Sequence, residues 1–91
     1  MPTLEFHGYS SEEAAAMRGN ARERLAVLAF REEIVFVDSG PSRVEGWDGA
    51  ERPFVRVLTR KQERADLIRQ QLHPLCDLEV VLIDFIPKAG T

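Results

Sequence analysis

The chain has 91 residues, 44% of them hydrophobic and 30% charged. At about 100 to 200 residues per domain, this leaves room for one domain over residues 1–91 and excludes a second. Fifteen acidic residues against twelve basic ones give a net charge of −3, a field that does not gather nucleic acid or an anionic membrane.

Leu4 and Phe6 alternate with Thr3, Glu5 and His7, the period of two that marks a half-buried strand ended by Gly8. Ser10 and Glu13 have the spacing of a capping box, in which hydroxyl and carboxylate each satisfy an orphan backbone N–H. A helix is therefore expected from there, with Ala14, Met17, Ala21, Leu25 and Leu28 as its apolar stripe and Glu12, Arg18 and Arg22 turned away. Ile34 to Val37 is a continuous β-branched and aromatic run, which predicts a second strand buried on both faces. A strand, helix and strand of these lengths fit a right-handed crossover between parallel neighbours.

Ser39 to Pro53 holds three glycines, two prolines and the lone Trp47 and is the longest connection, of a length that tends to be functional or mobile. Within it Asp38-Ser39-Gly40 is turn chemistry. Phe54 to Thr59 alternates again, with Val55 and Val57 on one side and Phe54, Arg56 and Leu58 on the other. Thr59 and Gln62 repeat the capping-box spacing, and Ala65, Ile68, Leu72 and Leu75 form a second stripe stopped by Pro74. Leu78 to Ile86, ended by Pro87, predicts the last strand. The plan is βαβ followed by βαβ.

The longest nearly apolar run, Val80 to Ile86, is broken by Asp84 and falls far short of the ~20 residues that span a bilayer. The single cysteine, Cys76, excludes an internal disulfide, and the acidic opening lacks the pattern of a secretory signal. A cytoplasmic protein is expected. His73, Cys76 and Asp77 cluster in sequence, but a stable metal site needs three or four ligands and the other histidine is His7. No metal and no cofactor are expected. The basic stretch from Arg52 to Arg69 lacks a phosphate loop or interleaved aromatics and reads as a solvated helix face. Trp47 is either a lid over the domain's own core or an anchor in a neighbour's pocket, with the anchor favoured.

Pro2 is the position with the sharpest chemistry. Methionine before proline is normally removed in cells, leaving a secondary amine. In a pocket that disfavours its ammonium form, that amine ionises below the ordinary α-amino value of about 7.7 to 8.0 and serves as a general base. The opening Met1-Pro2-Thr3-Leu4-Glu5-Phe6, the segment Pro53 to Leu58 and the close Val80 to Pro87 resemble a small bacterial family of unknown function. That family is similar to the tautomerase superfamily, which includes macrophage migration inhibitory factor. The resemblance implies subunits built from two βαβ units, assembled as trimers, with the N-terminal proline as catalytic base in a pocket between subunits. It carries over Pro2 alone. Arg31, Arg43, Arg52 and Arg56 are candidates to hold a substrate carboxylate by chemistry, since a guanidinium suits bidentate recognition.

The expected fold is α+β, a four-stranded mixed sheet with both helices on one face, tautomerase-like, and with an apolar second face that calls for a homo-oligomer. The expected function is keto-enol isomerisation of a small carboxylate substrate, with Pro2 as base and Arg31, Arg43 and Arg56 as substrate-binding candidates. The alternatives are a non-catalytic ferredoxin-like module binding a ligand or RNA, and a structural oligomer. Strand order separates the first two, because ferredoxin-like topology inserts the third strand between the first and second.

Overall fold

The computed structural model of the chain describes residues 2–73, 75 and 78–82. In chain order these form β1 (Thr3–His7), α1 (Ser11–Leu25), a 3-10 turn (Arg31–Glu33), β2 (Val35–Asp38), β3 (Phe54–Thr59), α2 (Gln62–Leu72) and β4 (Leu78–Leu82). The expected end of the last strand, beyond Leu82, lies outside the described residues, as do Pro74, Cys76 and Asp77. The strands lie in the order β2-β1-β3-β4. β1 runs parallel to β2 and antiparallel to β3, and β3 runs parallel to β4. Since β1 and β2 are hydrogen-bonded neighbours, with β3 on the far side of β1, the order is not that of a ferredoxin-like sheet.

Register decides which side chains meet. Leu4 stands between Phe36 and Val57, and Phe6 stands between Asp38 and Val55. Cross-strand partners share a face of the sheet, so Leu4, Phe6, Val55 and Val57 form one apolar surface. Ala21 and Leu25 from α1, and Ile68 and Leu72 from α2, close over it to make the buried core. Both helices therefore cover one face. Each large side chain removed from water there contributes about 1.5–3 kcal/mol. The other face carries Thr3, Glu5, His7, Val35, Val37, Phe54, Arg56 and Leu58, none of them fully buried.

The α1 capping box forms as expected. Glu13 N–H donates to Ser10 Oγ at 3.2 Å, and Ser10 N–H donates to Glu13 Oε1 at 3.1 Å. These bonds stabilise the ionised Glu13 carboxylate and hold it below the usual glutamate range. The helix ends at Leu25 rather than Leu28, and Leu28 is buried from the following turn instead. The second capping box does not form. Thr59 is buried at the end of β3 and its Oγ1 accepts from Lys61 N–H at 3.3 Å, while the Gln62 side chain turns forward to Asp66 Oδ1 at 2.9 Å. The β3 ladder claims the threonine first, so Lys61 caps α2 without a side-chain bond.

β2 also differs from expectation. An apolar run predicted burial on both faces, yet Val35 and Val37 are 36% and 37% exposed. β2 is an edge strand, and both valines lie on the face that no helix covers. No helix among the described residues is long and apolar enough to cross a membrane.

Candidate functional site

Where α1 gives way to the edge strand, the backbone must turn from the helix layer back into the sheet. The turn at Arg31–Glu33 makes that change of direction, with Arg31 N–H bonded to Leu28 O at 3.2 Å and Ile34 N–H to Arg31 O at 3.2 Å. The corner leaves an open cleft of about 420 Å³, within the common range of about 300–1,000 Å³ for small-molecule sites. Leu25, Ala26, Ile34 and Phe36 give it apolar walls, and Arg22, Arg31 and Glu32 supply its charge. The Arg22 guanidinium lies 5.2 Å from the centroid of the Phe36 ring, a cation–π placement. Arg31 Nη1 reaches Leu28 O at 3.5 Å. Two guanidinium groups and one carboxylate over an apolar floor suit a compact organic anion whose carboxylate meets the arginines.

A second cavity, of about 470 Å³, lies between the helix ends and includes Phe30, Glu33 and Arg64. Two of its charges, Glu33 and Arg64, are already engaged with each other. Arg64 grips Glu33 through two bonds of 3.1 and 3.2 Å and lies 4.6 Å from the Phe30 ring centroid. The bond to Arg64, reinforced by its charge, pulls the Glu33 carboxyl below the ordinary range. That arrangement ties α2 to the corner and leaves less charge for a ligand, so the first cleft is the better candidate.

The residues singled out from sequence fall in different places. Pro2 is fully buried, and its carbonyl accepts from Val35 N–H at 2.9 Å. It is not among the residues lining the cleft, but Val35 directly follows Ile34, which is. Arg31 lines the cleft. Arg43 does not, being bonded instead to Glu45 Oε2 at 3.2 Å, Glu51 Oε1 at 2.9 Å and Gly49 O at 2.9 Å in the long connection. Arg52 pairs there with Asp48 at 3.5 Å. Arg56 sits mid-strand on the uncovered face, its guanidinium 5.4 Å from the Phe54 ring centroid, and its register partners are Glu5 and Glu79. Thus the arginines are not gathered into one pocket, and Arg31 is the one placed at the cleft.

Arg22 is the residue that sequence reasoning left out. As a member of the polar face of α1 it reads as solvated, and only its position one turn before Leu25, at the helix end, hints at more. Trp47 is fully exposed, which excludes a lid over its own core. His73 is exposed at the end of α2, and among the described residues no group of His, Cys, Asp or Glu could hold a metal ion.

No protein-family model matches the chain. No curated protein matches it in sequence. Solved structures do share its fold. A domain of unknown function (DUF1904) from Sebaldella termitidis aligns with a TM-score of 0.57 at 17% identity, over 100% of this chain and 98% of that one. A protein of unknown function from Vibrio cholerae aligns with a TM-score of 0.51 at 22% identity, over 99% of this chain and 82% of that one. The chain is thus similar in architecture to small α+β proteins of unknown function.

Proposed function

We propose that the chain is a tautomerase-like protein that moves a proton between oxygen and carbon of a small 2-keto or enol acid. The observation that carries this reading is the backbone bond from Val35, the residue after Ile34 of the arginine-rimmed cleft, to buried Pro2. Pro2 is buried at the head of β1, and its carbonyl is bonded to the strand that leaves the cleft wall. Parallel β1 and β2 with α1 between them, followed by the parallel pair β3 and β4 with α2, also fit the doubled βαβ plan of that superfamily.

Once Met1 is removed, the Pro2 nitrogen is a secondary amine beside low-dielectric surroundings that disfavour its ammonium form. Arg31, with Arg22, holds the substrate carboxylate. The amine accepts the enol hydroxyl proton as the carbonyl forms, and the carbon–carbon π pair takes a proton at C3 from the resulting ammonium. One proton leaves oxygen and one arrives at carbon, so no oxidant, reductant or metal enters the balance. The uncovered sheet face, with Val35, Val37, Phe54 and Leu58 beside Glu5 and Arg56, is the surface through which subunits would associate, as a trimer by the same resemblance.

The test is turnover of phenylpyruvate or 2-hydroxymuconate by protein whose mass shows Met1 removed. Pro2→Ala abolishes turnover on this reading. Equal rates for the two proteins would overturn it and leave the structural oligomer.

A further inference from the structure

The charged side chains around the α1–β2 corner divide into those that are spent on each other and those that are not. Arg64 and Glu33 hold one another, and in the long connection Arg43 is bonded to Glu45 and Glu51 while Arg52 pairs with Asp48. The three that line the cleft, Arg22, Arg31 and Glu32, behave differently. Arg22 faces the Phe36 ring and Arg31 reaches the Leu28 carbonyl. Among the described residues no ion pair joins Glu32 to either arginine. All three are exposed, so each keeps its charge available at the opening.

Two guanidinium groups and one carboxylate leave the cleft a net charge of +1. A single carboxylate on the ligand brings that to neutrality. A second would stand as an excess negative charge beside Glu32, and the rest of the lining gives it no relief. Leu25, Ala26, Ile34 and Phe36 have no side-chain donor to replace the water that a charged group loses on entry. They do reward an uncharged hydrocarbon, through the apolar area it removes from water. A pair of arginines alone would accept a dicarboxylic acid, one end on each guanidinium. Adding a repulsive group against the unwanted ligand is how a site of modest affinity becomes selective.

We propose that Glu32 is a specificity-determining residue of this cleft, repelling a second carboxylate so that the site takes a monocarboxylic acid with an apolar tail. The inference rests on the reading of the cleft as a carboxylate site and is independent of Pro2 as base. Of the two acids named for the turnover test, it selects phenylpyruvate over 2-hydroxymuconate, which carries two carboxylates.

Titration calorimetry of the full chain with 3-phenylpropionate and phenylsuccinate reads this selection without any reaction, since the two acids share a ring and differ by one carboxylate. The expected result is 3-phenylpropionate bound at least about fivefold more tightly at low salt, with the margin shrinking as added salt screens the exposed charges. Glu32→Gln should remove the margin or reverse it. Glu33→Gln should leave it unchanged, because Glu33 lines the neighbouring cavity and is held by Arg64. Phenylsuccinate bound as tightly by the parent, a ratio unmoved by Glu32→Gln, or one moved equally by Glu33→Gln would overturn this inference and leave the carboxylate site standing. Binding of neither acid would overturn both. Selection of the monoacid by a chain that turns over no keto acid would uphold the inference while removing the reaction.

Discussion

The backbone N–H of Val35 donates to the carbonyl of Pro2 across 2.9 Å, so the head of β1 and the head of the edge strand are held side by side. This single bond joins the residue with the sharpest chemistry to the corner that forms the cleft. Pro2 itself does not line the cleft; the bond ties it to the residue that follows Ile34 of the cleft wall.

If Arg31 holds a substrate carboxylate, Arg31→Ala removes a charged hydrogen bond worth about 1.5–3 kcal/mol, roughly 10- to 100-fold in affinity. Titration calorimetry with a small keto acid measures this. Arg43→Ala should leave that affinity nearly unchanged, because Arg43 is committed to Glu45, Glu51 and Gly49. Equal losses for both variants would place the carboxylate elsewhere.

Two glycines should respond in opposite senses to alanine. Gly19 is exposed in α1 and an added Cβ meets nothing within 4 Å, so Gly19→Ala stabilises the fold by about 0.5–1 kcal/mol. Gly8 has φ +84°, and its added Cβ would lie 3.2 Å from Pro53 Cα and from Val44 Cγ2. Gly8→Ala should destabilise by at least about 1 kcal/mol. Urea unfolding of the two variants decides both signs.

Glu13 and Glu33 contribute to the acid side of stability, because their carboxyls lie below the ordinary glutamate value in the folded chain. A group depressed on folding stabilises the fold fully above its unfolded pKa of about 4.3, and this contribution is lost as pH falls through the lower folded value. The double variant Glu13→Gln, Glu33→Gln should therefore lose less melting temperature than the parent as pH is lowered from about 6 to 3. Parallel melting curves against pH would contradict the assignment.

Ile68 and Leu67 are neighbours in α2 with opposite fates, the first fully buried and the second 39% exposed. Ile68→Ala should cost about 2–5 kcal/mol of a total stability of about 5–15 kcal/mol. Leu67→Ala should cost far less, and chemical denaturation of both variants measures the contrast.

The elements and faces of the core were legible in the sequence because period and capping are local. Leu4 and Phe6, Val55 and Val57, and the stripes through Leu25 and Ile68 all follow from spacing alone. What was not legible depends on neighbours distant in sequence. Val35 and Val37 read as buried because an apolar run cannot tell an edge strand from a central one. Thr59 read as a helix cap because nothing local shows that the β3 ladder takes it first. Arg22 read as solvated because its meeting with Phe36 is made only when β2 returns beside β1. Pro2 was conspicuous from chemistry, but its bond to Val35 required the fold.

The most direct measurement is the titration of the Pro2 amine itself, by nitrogen-15 NMR on selectively labelled protein lacking Met1, beside the pH profile of kcat/KM for a keto acid. The account predicts an amine pKa below the ordinary α-amino range of about 7.7 to 8.0, coincident with the acid limb of the rate profile. An amine that titrates in the ordinary range, with no matching limb in the rate, would contradict it.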